Sequence, residues 1–276
     1  MRNHNKCTFG MVADYEWADV MLKKSILLAA TLLTGLASRP ASAAVYGVFS
    51  NGSAADSAAL AIIQAAGDTA TVLPNLMVAS LSGVNVLFLM NSSTTAELTA
   101  LTTSAAAINS FVQGGGVFAL NDRRVTGAAG VVPGATNITF TRSTGTDINP
   151  GAASKLVNGP AGVIGATTLD GGGPSDDGYA TILPAGATTL LTRTNAARAV
   201  AFSYTLGAGS VYYSTIPLDN YLSTANASPA AFKTVYAPNL VAYLDALVPA
   251  AIPEPASLAV LGMGLLGLRL ARRRAA

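Results

Sequence analysis

The sequence predicts an α/β domain built on a largely parallel, three-layer sheet. Residues 84–90 are apolar at nearly every position, the pattern of a strand covered on both faces. Short β-branched runs alternate with segments of helical period through the first half, and Asn-Gly or Gly-rich stretches separate them.

Each element follows from its own residues. Residues 45–49 form a β-branched and aromatic strand that stops at Asn51-Gly52, and Ser53 followed by Asp56 reads as a helix N-cap. Leu60, Ile62, Ile63 and Ala66 carry that helix to Gly67, and residues 69–73 alternate as a second strand. Residues 84–90 are expected in the middle of the sheet. Thr94 with Glu97 forms a capping box, and Leu98, Leu101, Ala105, Ile108 and Val112 extend one helix to the glycines at 114–116. Residues 117–120 give the next strand, so the first half reads β-α-β-β-α-β with right-handed crossovers. β-rich additions fill the second half, at 136–142, 188–194, 199–206 and 210–215. Ser228-Pro229 has the form of a helix start, and residues 239–247 give a closing helix set apart by Pro238. Residues 44–250 are one domain's length.

Charge and composition exclude several functions. The formal net charge is +2, but most cations lie at the two ends. Within 44–250, seven Lys and Arg stand against ten Asp and Glu, a formal charge of −3 with no basic patch for nucleic acid. The single Cys, His and Trp are Cys7, His4 and Trp17. Residues 44–250 therefore hold no thiolate nucleophile, imidazole base, disulfide or thiolate or imidazole zinc ligand.

The run from Phe111 through Gly114-Gly115-Gly116 to Asn121 resembles the class I glutamine amidotransferase-like fold, a flavodoxin-like architecture in which a Gly-rich turn leads into the strand before the nucleophile. In enzymes of that fold a Cys follows the strand and a His comes later. Here Asn121 or Asp122 holds the matching position and no His follows, so the resemblance implies the fold without the amidotransferase chemistry.

Both ends carry addresses. Lys23-Lys24, the apolar stretch 26–36 and Ala41-Ser42-Ala43 make a secretory signal helix over 21–43, with signal peptidase expected to cut after Ala43. Asp14, Glu16 and Asp19 precede it, which an export signal disfavours, so residues 1–20 are read as an extension and Met21 as the start. At the other end, residues 251–276 hold Pro253-Glu254-Pro255, an apolar run and then Arg269, Arg272, Arg273 and Arg274. A C-terminal transmembrane helix over 256–271 would be about 24 Å long, short against a ~30 Å hydrocarbon core. The order of these parts resembles the PEP-CTERM sorting signal of Gram-negative bacteria. That resemblance implies an inner-membrane intermediate, cleavage by an exosortase, release to the cell surface or beyond, and a link to exopolysaccharide.

Candidate ligand residues are few. Asn51, Asn91 and Asn121 each follow or end a strand, and with Asp122 and Asp219 they are expected to line a crevice at the carboxyl ends of the sheet, where α/β folds bind ligands. Asn in these places also serves turns alone. Asp170, Asp176 and Asp177 lie in a Gly-rich stretch able to offer oxygen ligands to calcium, although the spacing is not that of an EF-hand and an ordinary solvated loop has the same composition. The expected function is a non-catalytic exported module with a structural, adhesive or polysaccharide-binding role; the alternative is a secreted polysaccharide hydrolase using carboxylates such as Asp122 and Asp219.

Overall fold

A computed structural model describes residues 43–50, 54–91, 95–125, 128–224 and 228–249. The expected extension, nearly all of the signal helix, and the sorting tail with its transmembrane helix lie outside these residues. The elements are β1 (Val45–Phe49), α1 (Ala54–Ala65), β2 (Thr69–Val72), α2 (Val78–Leu81), β3 (Val86–Asn91), α3 (Thr95–Thr103), α4 (Ala105–Gln113), β4 (Val117–Asp122) and α5 (Ala128–Val131). There follow β5 (Thr139–Gly145), β6 (Asn149–Pro150), β7 (Asn158–Gly159), β8 (Gly162–Val163), β9 (Asp176–Ile182), β10 (Thr188–Thr192), β11 (Ala199–Leu206) and β12 (Gly209–Ser214). The chain closes with α6 (Leu218–Ser223), a π-helical turn (Phe232–Tyr236) and α7 (Ala237–Leu247).

The fold is mixed α/β with a largely parallel central sheet. Strands β2, β1, β3, β4 and β12 lie side by side in that order and run parallel. The sheet then continues antiparallel through β11, β10 and β6, while β9 joins β11 at Ala180 opposite Ala199 and pairs along β5. β3 is the middle of the parallel set, as its apolar sequence requires. Val86, Phe88 and Met90 face one core with Ile63 of α1 and Leu240 of α7; Leu87 and Leu89 face the other with Ile108 and Val112 of α4. Side chains alternate across a strand, so only a strand apolar at both parities fills two cores at once.

The structure departs from the sequence expectations at several points. The helix expected to run unbroken to residue 114 divides at Ser104 into α3 and α4. Thr99 and Thr102 turn their hydroxyls back onto the carbonyls of Thr95 and Leu98, at 2.8 and 2.9 Å, a contact that bends helices. The short α2 stands between β2 and β3, where two strands were expected in succession. Ser228-Pro229 does not open a helix: the π-helical turn begins beyond it and leads straight into α7, with Pro238 in the first turn of α7. A proline there removes an N–H that would have no helical partner anyway.

Residues 170–178, expected as one open loop, contain the start of β9. Ser175 and Asp176 are both fully buried. The Ser175 hydroxyl accepts from the Gly172 amide at 2.9 Å and donates to the Leu169 carbonyl at 2.8 Å, which fastens the turn to the core. Polarity hid this strand, because its carboxylates are neutralised by partners distant in sequence.

Candidate functional site

The carboxyl ends of β3, β4 and β12 lie in register, with Asn91 opposite Asp122 and Asn121 opposite Ser214. Asn51 and the side chain of Asn91 are outside the described residues. Asn121 and Asp122 are buried on opposite faces of the sheet, as neighbours on a strand must be. Asn121 accepts a hydrogen bond from the Tyr236 hydroxyl at 3.0 Å; that hydroxyl also meets Tyr212 at 2.7 Å and Ser214 at 3.3 Å.

Asp122 belongs to a different group. Its Oδ1 accepts from the amides of Arg124 and Val125, each at 3.1 Å, and its Oδ2 accepts from the Tyr213 hydroxyl at 3.0 Å. The two amide bonds hold Val125 at φ 52°, a conformation that β-branched residues avoid. Burial pushes the Tyr213 hydroxyl far up, helped by the adjoining Asp122 charge.

Asp219 of α6 reaches the same face through Arg123, whose Nη1 lies 3.2 Å from Asp219 Oδ2. Asp177 stands among these groups. Its pKa is raised first by burial, opposed by Arg123 and Arg142, and raised further by Asp219 and Asp122. Asp219 is also raised by burial and held back by Arg123. Oδ2 of Asp177 and Oδ1 of Asp219 are buried without a hydrogen-bond partner. The structure thus gathers Asp122, Asp177 and Asp219 beside two guanidinium groups and leaves Asn121 on the other face. Asp177 was expected at a calcium loop and not in this group; its burial was the missing signal.

Of the three carboxylates expected to offer oxygen to calcium, Asp177 lies beside Arg123 and Arg142, and the other two have separate hydrogen-bond partners. Asp170 Oδ1 accepts from the Ile148 amide at 2.8 Å, and Asp176 Oδ1 takes both Nε and Nη2 of Arg193, with Nε at 3.0 Å. Among the described residues, no group of three or more acidic, His or Cys side chains is placed to hold a metal ion.

An open cavity of about 780 Å³ lies beside β5 and β10. Thr144, Thr146, Asp147, Arg193, Thr194, Asn195 and Arg198 give it a polar wall. Behind that wall Tyr179 has the guanidinium carbons of Arg193 and Arg198 each 4.8 Å from its ring centre. Stacking on an aromatic ring restrains a guanidinium without using its donors. The cavity therefore presents hydroxyl, amide and guanidinium donors together with the Asp147 carboxylate, whereas Asp122 and Asp176 are bound to donors of the protein.

Residues 251–275 match the PEP-CTERM protein-sorting motif. The motif marks an exported protein that an exosortase processes and that the membrane holds before processing. Among the described residues no helix is long and apolar enough to cross a membrane. No curated protein matches the chain. Among solved structures, two cytoplasmic proteins of Salmonella typhimurium align at TM-score 0.48, with 14% and 11% identity; each alignment covers 74% of this chain and 98% and 99% of theirs. The exo-beta-1,4-mannosidase Op5Man5 from Opitutaceae bacterium strain TAV5 aligns at TM-score 0.43 and 14% identity, over 75% of this chain and 36% of that one. These distant similarities bear neither on the amidotransferase-like resemblance nor on an activity.

Proposed function

We propose that residues 44–250 form a non-catalytic envelope module that binds extracellular polysaccharide through the polar cavity beside β5 and β10. Its route begins with signal peptidase cutting after Ala43 and ends with exosortase acting at Pro253-Glu254-Pro255. Until then Arg272, Arg273 and Arg274 hold the tail on the cytoplasmic side of the inner membrane. One observation carries the binding reading. The open cavity offers Thr146, Asn195 and Arg198 to solvent, while Asp122 and Asp176 are buried on protein donors. Hydroxyl, amide and guanidinium groups, with Asp147 as the one carboxylate among the cavity's lining residues, suit a hydroxyl-rich neutral ligand better than glycoside cleavage, which uses a pair of acids.

The experiment is a glycan-array screen of the exported protein, followed by calorimetry on the glycans retained. Arg198→Ala and Asn195→Ala are expected to weaken binding about tenfold or more, the loss of one or two good hydrogen bonds. Binding by both variants as tight as that of the unsubstituted protein, or no glycan retained, overturns the proposal.

A second reading rests on Asp177 and Asp219, whose raised pKa values and orphan oxygens are features of carboxylates that divide acid and base roles. It requires release of reducing ends from a polysaccharide, lost in Asp177→Asn and Asp219→Asn. Absence of release by the unsubstituted protein removes it.

A further inference from the structure

Ala44 immediately precedes β1, with its amide nitrogen 2.8 Å from Oδ1 of Asp68. Ala43 is exposed, whereas Ala44 is 7% exposed and its carbonyl accepts from the Thr69 amide at 3.0 Å, so the sheet begins at this residue. Oδ2 of Asp68 is buried and receives no donor. Its neighbour is the carboxyl of Asp245 on α7, which also accepts from the Tyr46 hydroxyl at 2.7 Å. Two acids in contact make a hydrogen bond only when one keeps a proton, and Asp245 ionises less easily for having Asp68 beside it.

We propose that Asp68 and Asp245 form the receptor for the α-ammonium group that cleavage after Ala43 creates on Ala44. The inference rests on that cleavage position and is independent of any polysaccharide. In the uncut chain the Ala44 nitrogen is a neutral amide whose one N–H already goes to Asp68. Hydrolysis of the Ala43–Ala44 bond consumes one water, leaves a carboxylate on Ala43, and frees an amine on Ala44 that takes up a proton near neutral pH. The same position then carries a positive charge and three donors. One donor keeps the bond to Oδ1, and two are left for the orphan Oδ2 and for Asp245.

The cut therefore adds a positive charge beside two carboxyl groups. Before it, burial first, and then the Asp68 charge, hold the Asp245 carboxyl up at about 6, with the Tyr46 hydroxyl bond and the Lys155 charge acting in the opposite direction. The Asp245 carboxyl of the folded precursor is thus harder to ionise than a free one, although at neutral pH it is still mostly charged. After the cut, the ammonium group lies against both acids and favours their ionised forms. Removal of the leader tightens the first strand of the parallel sheet against the last helix, and an uncut chain lacks this tie.

The test uses the exported protein as a secreting host processes it. N-terminal sequencing establishes the first residue, and the pKa of the α-amine is measured from the pH dependence of its acylation. A protein that starts at Ala44 is expected to hold its α-amine at least about tenfold more basic than the ordinary range of about 7.7–8.0. Asp68→Asn is expected to return it to that range, and Asp245→Asn to lower it part of the way. An ordinary pKa in a chain that begins at Ala44 overturns the receptor. A chain that begins elsewhere overturns the cleavage position itself, a separate failure read from the sequencing alone. Where Asp68→Asn does not fold, the measurement on the unsubstituted protein decides.

Discussion

The guanidinium of Arg193 grips the carboxylate of Asp176 across 17 residues of sequence, and Asp176 is completely buried while the Arg193 side chain is 11% exposed. Arg193 of this ion pair also lines the polar cavity. Removing one partner strands the other charge away from water, a loss of about 3–5 kcal/mol. Arg193→Met is therefore expected to destabilise the protein by that amount in urea unfolding. Asp176→Asn combined with Arg193→Met removes both charges and is expected to recover much of the loss.

The pH dependence of the same pair has a definite sign. Burial raises Asp176 to about 6 from 3.8, even with Arg193 and the Gly178 amide opposing it. A carboxyl with a raised folded pKa contributes stability that is complete below 3.8 and is lost as pH rises through about 6. The difference in melting temperature between the unsubstituted protein and Asp176→Asn should change between those two values and be flat above them. A difference that is constant across the window overturns this account.

Tyr236 is the hub of a buried hydroxyl chain that includes Tyr212, Ser214 and Asn121. Tyr236→Phe keeps the ring against Phe232 but takes away the donor on which Asn121 depends. The cost should be about 1–3 kcal/mol, the desolvation penalty of a buried polar atom left without its partner. Tyr236→Leu, which also loses packing, should cost more; denaturant unfolding of both variants checks the order.

Asn239 of α7 ties down the β7–β8 hairpin through three hydrogen bonds. Its Nδ2 donates to the carbonyls of Leu156 and Gly162, at 3.2 and 2.8 Å, and its Oδ1 accepts from the Ala161 amide at 3.0 Å. Asn239→Ala should release this hairpin, seen as faster amide exchange over residues 156–163 and a stability loss of roughly 2–4 kcal/mol. Unchanged exchange there would show that the hairpin is held by other contacts.

Gly209 begins β12 where a Cβ would overlap the carbonyl oxygens of Val112 and Gly116. These are backbone atoms and cannot rotate aside. Gly209→Ala should therefore destabilise by about 1–3 kcal/mol, the usual penalty of overpacking, measured by thermal unfolding.

The amino-acid sequence alone determined four strands of the parallel set, β1 to β4, and the sorting address; it left β12, the fifth, among the β-rich additions. Strand β3 is legible because it is apolar at both parities, and α1 and α4 are legible because their apolar residues recur at helical spacing; both patterns are local. The sorting motif at 251–275 is legible for the same reason, since its order of proline, apolar run and arginines is complete within one short segment. Tertiary structure alone decided the acidic groups. Asp176 and Asp177 sit in a stretch that looks like a solvated loop until Arg193, Arg123 and Arg142 arrive from elsewhere in the chain, and Asn121 parts from Asp122 because a strand alternates its faces. The approach of Ala44 to Asp68 and of Asp68 to Asp245 is likewise a property of the folded sheet. Apolar periodicity is written over a few turns of chain, whereas the environment of a charge depends on groups that only folding brings near.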